Sequence, residues 1–471
     1  MAGKPQSTRI GALAKIPIRP FAAVAAGLVV IILVFAHTRG LNGPDYWRWE
    51  WRSRPDLWRA AFFLLLAASP ALLAQVFGAR KSVALALLCA ATVALQLTSN
   101  AVEPRLRGVE RFRRVASDQL TTSYYTVAES IVRAERAGRP VDWLRQYDDL
   151  LRLAPQHATT KPPGPVAFYV AVIRLFGPER APIAAAVLLA LLSAAGIAVT
   201  YSAARIITGD EAALQAATLM ALAPSMTVFF LYLDTVYPIL SCALLAAWFM
   251  ALKRGHSSEA IAFGLILFAA TMTSYTLLVL GIALGGMTLV WLRRGGRLRT
   301  AATLTAIAIG TFLGAYAVLW LSTGFNPISA LRTALEMQYR YLPLLHRPWP
   351  RTIPFDILDF CLGAGWVPVV LVLTSFCGAP PPAAASAGEG AGAPHGRAIL
   401  LWGLATPLTV ALTGLIQAET ARVWIFMLPL LMMPAGVELS RWPLRQRFAV
   451  HVVMIAVTFA LYANMTFIGT S

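Results

Sequence analysis

The sequence is poor in what a water-soluble protein of its length needs. Of 471 residues only 13% are charged, while 58% are hydrophobic and the mean hydropathy is +0.65. Soluble chains carry about 25% charged residues, so the bilayer must be the main solvent here. Lysine is scarcest among the common cations, with 5 against 35 arginines. The four cysteines, at positions 89, 242, 361 and 377, sit within or at the ends of apolar runs. That placement argues against a disulfide framework or a thiolate metal cluster and makes them small hydrophobes. A clear internal repeat is also missing. The net charge of +18 would suggest nucleic acid in a soluble chain, but most of these cations flank apolar runs, as they do in membrane proteins.

What is present is a long series of apolar runs. A spanning helix needs about 20 mostly apolar residues, because every backbone polar group in hydrocarbon must be satisfied inside its own segment. Such runs lie at 20–37, 60–77, 82–99, 182–204, 211–230, 236–252, 258–273, 275–292, 300–322, 357–376, 398–416, 423–439 and 448–467. The expected fold class is all-α: a polytopic integral membrane protein with about 13 transmembrane helices plus amphipathic interfacial helices in the external loops. Residues 1–471 read as one membrane-embedded domain. A further run at 163–177 begins with prolines and is short for a full crossing, which suggests a re-entrant or tilted segment. The first run follows Lys4, Arg9, Lys15 and Arg19 with no convincing small-residue cleavage site after it, and reads as a retained anchor.

Short Arg/Lys-rich loops stay in the cytoplasm. The N-terminus, GARKS at 78–82, LKRGHS at 252–257, RRGGRLR at 293–299 and SRWPLRQR at 440–447 share that side if the runs alternate. The external side then receives 38–59, the long loop 100–162, 323–356 and the stretch around 416–424. The segment 378–396, GAPPPAAASAGEGAGAPHG, reads as a flexible cytoplasmic linker. Within 100–162, TTSYYTVAESIVRAERAGRP and VDWLRQYDDLLRLA have apolar residues at helical spacing. Tyr125, Val127, Ile131 and Val132 face one way and Arg133, Glu135 and Arg136 another, as in helices that lie flat on a membrane surface. The cluster YWRWEWR at 46–52 reads as an interfacial aromatic belt, with sugar stacking as the sharper alternative, and 331–350 as a second interfacial helix roofing a cavity.

The order of these features, an anchor, external acidic residues, a tyrosine-containing amphipathic helix and then TKPPGP at 160–165 opening the next helix, resembles the polytopic glycosyltransferases of the C fold. That superfamily includes bacterial aminoarabinose transferases, protein O-mannosyltransferases and actinobacterial family-39-like proteins. LYLDTVYP at 231–238 looks like the family's second acidic loop and AETARVW at 418–424 like its late Glu/Arg pair. The chain departs from the pattern in placing two extra runs between the first anchor and Asp118. Asp45 therefore holds the first acidic position by span count, and Asp118 holds it by distance to the KPPG motif.

The resemblance implies transfer of a sugar from a polyprenyl-phosphate donor to a cell-envelope glycan, lipid or protein acceptor, with inversion, on the outer face of the cytoplasmic membrane. In that reaction a carboxylate takes the acceptor's proton, a role for Asp118 or Asp45. Cations stabilise the leaving lipid phosphate, a role for Lys161 and Arg422. Asp234 and Glu419 hold the acceptor or a divalent cation, and His157, Tyr124 and Tyr125 are secondary candidates. No metal-ligand spacing or other cofactor is indicated. The abundance of Ala, and of Arg over Lys, fits a GC-rich, actinobacterial source, which favours an arabinose- or mannose-phosphate polyprenol donor.

Each residue also has a plainer reading. Asp118 and Asp234 are good helix N-caps, Lys161 can be a snorkelling interface lysine, and Glu419 and Arg422 can pair with each other on a helix. The competing functions are a secondary transporter or lipid flippase, whose usual repeated halves are not evident, and an O-antigen ligase or polymerase-like enzyme.

Overall fold

Apolar runs become helices in a membrane because only intra-segment hydrogen bonding satisfies the backbone there. The computed structural model describes residues 18–44, 49–52, 57–102, 109–117, 119–139, 142–155, 157–341, 343, 347–376 and 393–467, and these are almost all helical. Eight described helices are long and apolar enough to cross a membrane, from Ile18–Phe35 to Leu444–Asn464. A ninth candidate is a bent pair, and three shorter apolar helices lie at Ser257–Thr273, Ala398–Thr413 and Ile425–Ser440. The protein is thus an all-α, multi-pass membrane protein.

The paths differ from thirteen separate rods in three places. The runs at 163–177 and 182–204 form one continuous stretch, Gly164–Thr208, broken at Gly177 (φ 75°). The run at 211–230 gives only the helices Asp210–Ala221 and Pro224–Val228. The run at 357–376 divides into Ile353–Ala364 and Val367–Ser375, bent by 103° where Gly365 and Trp366 both take positive φ.

Helices meet along seams of small residues, which let backbones approach where lipid offers no hydrophobic drive. Ala60, Ala67, Ala71 and Ala74 of Leu57–Val76 face Ala84, Leu88 and Ala91 of the next helix. A Cβ on Gly264 or Gly436 would lie 2.5 Å from the carbonyl oxygen of Ala308 or Ala212.

Ion pairs identify one face of the bundle. Lys81 and Arg447 both bind Glu211, and Arg19 and Arg441 bind Glu438, whose side chain is fully buried and also accepts from the Trp442 indole. Three of the basic or N-terminal segments, those of Arg19, of Lys81 and of Arg441 and Arg447, therefore share this face. The opposite face carries the short ribbon in which Trp49–Trp51 pairs antiparallel with Met465–Phe467.

These anchors settle the parity of the middle of the chain. Thr208 precedes Asp210 and Glu211 at the basic face. At about 1.5 Å per residue, 178–208 is roughly 45 Å long, enough to carry its start to the other face. The preceding 164–176 is only about 20 Å long, short of the ~30 Å hydrocarbon layer. It starts beside Lys161, and near its end Arg174 makes a bidentate pair with Glu135 of the helix Gln119–Arg136. Its length argues against a full crossing of its own.

The helix Gln119–Arg136 has the expected sidedness, with Tyr125, Val127, Ile131 and Val132 buried and Arg133 and Arg136 exposed. Its apolar side packs on Gly164–Thr208 instead of resting on lipid. The second amphipathic segment forms only Tyr147–Leu153, ended by extended Ala154 before Pro155. The proposed roof is the helix Pro327–Tyr341, tied to it through Arg152–Glu336 and Ser329–Asp148. Trp49 is no surface belt residue: it is buried, and its indole donates to Asp359 at 2.8 Å. Trp51 stacks on His37. The first turn of Ala393–Thr413 replaces the end of the expected linker, whose residues 378–392 lie outside the described residues.

Candidate functional site

The turn between the two interfacial segments positions Lys161. Pro155 accepts from the amides of Ala158 and Thr159, and the Lys161 amide donates to Ala158 at 3.2 Å. Tyr147, buried, donates its hydroxyl to the Lys161 carbonyl at 2.9 Å. Gly164 then starts the next helix with its backbone pressed on the end of Ser257–Thr273, where a Cβ would stand 2.2 Å from the Met272 carbonyl oxygen. The KPPG motif is thus clamped from both sides, and the lysine's place follows from Tyr147 above it and the missing side chain at Gly164 below.

Three other elements converge on it. Leu233–Val236 is a 3₁₀ turn carrying Asp234, preceded by Leu231 at φ 83° and held by Thr235, which donates to the Tyr232 carbonyl and accepts from Ser193. The loop 416–423 carries Glu419 and Arg422, whose side chains pair at 2.5 Å. Arg422 lies over the Tyr232 ring at 4.9 Å from its centroid, a cation–π contact that fixes the guanidinium plane. Arg347 reaches the other carboxylate oxygen of Glu419 at 3.5 Å.

The loop keeps a strained shape, with Ala418 at φ 62° and Glu419 at φ 53°, because Asp356 and Asp359 hold its backbone. The Ala418 amide donates to Asp356 at 2.6 Å and the Ala421 amide to Asp359 at 2.5 Å, while Thr420 donates to the Asp356 carbonyl and to Asp359. Ser225 donates to the Ala421 carbonyl.

The electrostatics bind these residues into one group. Burial pushes the Lys161 ammonium below its ordinary value; Asp234 and Glu419 resist this, and Arg422 adds to it. Burial lowers His157 to about 4, helped by Arg422, Lys161 and Arg347 and opposed by Glu419, so its imidazole is neutral near pH 7. Burial would raise Glu419, but Arg422 and Arg347 outweigh it and keep the carboxyl below its usual range. Tyr124 is raised by burial and by Asp234. Among the described residues Lys161 has no carboxylate within ion-pair distance. Three cations, Lys161, Arg347 and Arg422, therefore act on one neighbourhood with two carboxylates, Asp234 and Glu419, an excess of positive charge that suits an added anion.

The structure brings together Lys161, Asp234, Glu419, Arg422, His157 and Tyr124. Tyr125 points elsewhere, donating to the Pro178 carbonyl at 2.8 Å. Asp118 and Asp45 lie outside the described residues. Sequence reasoning missed Arg347, Tyr232, Tyr147 and the two supporting aspartates. Asp356 and Asp359 carried a usable signal, as carboxylates three apart at the start of an apolar run. Among the described residues no three His, Cys, Asp or Glu side chains gather as a metal site would need.

No protein-family model and no curated protein sequence matches the chain. It is similar to two solved structures of ArnT from Cupriavidus metallidurans. One is bound to undecaprenyl phosphate (19% identity, 60% of this chain and 50% of that one, TM-score 0.41) and the other is in the apo state (20%, 60%, 50% and 0.40). The chain spans about half the length of the solved structures it matches.

Proposed function

We propose that the protein is a glycosyltransferase that moves a sugar from a polyprenyl-phosphate carrier to a glycan, lipid or protein acceptor. The observation that carries this reading is the grouping of Lys161, Arg347 and Arg422 around Glu419 and His157, opened by a KPPG turn and completed by the Glu/Arg loop. A phosphate monoester or diester between these cations gains charge-assisted hydrogen bonds, with Arg422 presenting a planar fork and Lys161 a point charge. As the bond from the anomeric carbon to the phosphate oxygen breaks, negative charge grows on that oxygen, and cations already in place stabilise it without reorganising. Glu419 and Tyr232 hold the Arg422 fork; Asp234 faces the same space and can orient the acceptor or share a divalent cation.

The acceptor attacks from the opposite side of the sugar ring, giving inversion, and its proton goes to a carboxylate base. Asp118 takes that role in this proposal, with Asp45 as the alternative. The site's place opposite the segments of Arg19, Lys81 and Arg447 supports a site on the outer side of the cytoplasmic membrane, by the positive-inside rule. Arabinose- and mannose-phosphate polyprenols are the first donors to try.

The test is transfer from radiolabelled polyprenyl-phosphate sugars by the full chain in nanodiscs, with an envelope extract as acceptor. Label should enter a new product with wild type and not with Asp118→Asn or Lys161→Ala. Equal transfer by Asp118→Asn moves the base to Asp45. Movement of carrier across a sealed vesicle with no covalent product replaces the enzyme by a flippase.

A further inference from the structure

A second concave surface lies one aromatic layer away from Lys161. It is a recess of about 560 Å³ lined by Glu135, Asp142, Trp143, Arg145, Arg174 and Trp320, among others, within the ~300–1,000 Å³ usual for small-molecule sites. Trp143 meets Tyr147 edge to face at 6.3 Å between ring centroids, and Tyr147 is the residue that holds the Lys161 carbonyl. Gly324, at φ 73°, forms one wall; a Cβ there would come within 3.0 Å of the Arg145 side chain, so the glycine admits that arginine against the backbone.

The chemistry of the lining is specific. Arg174 is bound bidentately by Glu135, at 2.6 and 3.3 Å. Among the described residues Asp142 and Arg145 have no ion-pair partner. The recess therefore holds two carboxylates and two guanidiniums with no net charge, which disfavours an anion such as a phosphate. A purely apolar ligand is also a poor fit, since it would strip water from four charged groups without replacing it. Two indoles line the recess, Trp320, which is 55% exposed, and Trp143, which is buried. Flat apolar faces beside paired donors and acceptors match one ligand class, in which C–H faces alternate with hydroxyl edges: a sugar.

We infer that this recess is a carbohydrate subsite that takes a neutral oligosaccharide, with Trp320 stacking on a ring and Asp142 and Arg145 binding its hydroxyls. Its role as the seat of the acceptor glycan rests on the transferase reading above; its ligand class does not.

The test is saturation-transfer NMR on the full chain in nanodiscs, using neutral linear tetrasaccharides of mannose and of arabinose as probes. Wild type should transfer saturation to at least one of them. Trp320→Ala and Arg145→Ala, both surface changes whose thermal unfolding is checked alongside, should weaken the signal at least fivefold. Lys161→Ala should keep it, because the carrier phosphate binds elsewhere. No sugar signal with wild type, as expected if the recess only receives lipid headgroups, overturns the subsite, as does an undiminished signal in both recess variants. Signal lost in Lys161→Ala alone puts the sugar at the cation cluster and also overturns it. Binding that follows the recess variants while no donor yields transfer keeps the subsite and removes the transferase.

Discussion

Lys81 and Lys161 present the same ammonium group at opposite faces of the bundle, in opposite circumstances. Lys81 is partly exposed and meets Glu211 at 3.0 Å, beside Arg447 on the same carboxylate. Lys161 is half-buried, is influenced by Asp234, Glu419 and Arg422, and has no ion pair with a described carboxylate. The first lysine is saturated by its own protein and serves to fasten helices. The second is held in position by its backbone contacts while its charge has no ion-pair partner among the described residues, an arrangement costly to the fold and of the kind found at ligand sites.

Substitutions can break or sharpen this contrast. The largest effect is expected from Lys161→Ala: by analogy with losing one preplaced transition-state donor, transfer should fall about 10²–10³-fold with little change in thermal unfolding. Lys81→Ala should leave transfer within about twofold, as befits a surface pair worth roughly 0–1 kcal/mol. Similar losses in both would erase the distinction.

Gly164→Ala comes next. Its Cβ cannot share space with the Met272 carbonyl, so overpacking should cost about 1–3 kcal/mol, read as a lower Tm, and displace Lys161 enough to reduce transfer as well. Asp359→Asn replaces one of the two carboxyl oxygens that accept from the Ala421 amide, the Thr420 hydroxyl and the Trp49 indole by an amide donor. A loss of about 1.5–3 kcal/mol should loosen the Arg422 loop, raising KM for the carrier more than it lowers kcat.

The smallest effect concerns His157. Its folded value of about 4 lies below the ordinary 6.5, so folding disfavours its proton. Its contribution to stability is complete above about pH 6.5 and is lost as the pH falls toward 4, on the order of 1–2 kcal/mol after screening. In His157→Gln, thermal unfolding measured across that window should show a shallower acid decline. An unchanged slope would assign the decline to other groups.

The sequence made these residues visible to different degrees. The helix over 119–136 announced itself by spacing, because an amphipathic element leaves a periodic trace. Lys161, Asp234, Glu419 and Arg422 stood out as ionisable groups beside apolar runs, and the structure gathers them. Hydropathy could not report the path of the chain: the right-angle break at Gly365 and Trp366 and the merger at Gly177 change direction without changing composition. Arg347 was hidden among other arginines in an interfacial segment. Trp49 resembled a belt residue because an indole bound for a buried aspartate has the same local sequence as one bound for a headgroup.

The ribbon between Trp49–Trp51 and Met465–Phe467 has a consequence in time. Trp49 reaches Asp359, Asp359 holds the Ala421 amide, and that loop carries Arg422. A strand made soon after the first membrane helix must wait for one made after the last. During synthesis the loop that carries Glu419 and Arg422 therefore lacks part of its support until Leu444–Asn464 has been inserted, so a partly inserted chain has no fully assembled cation cluster.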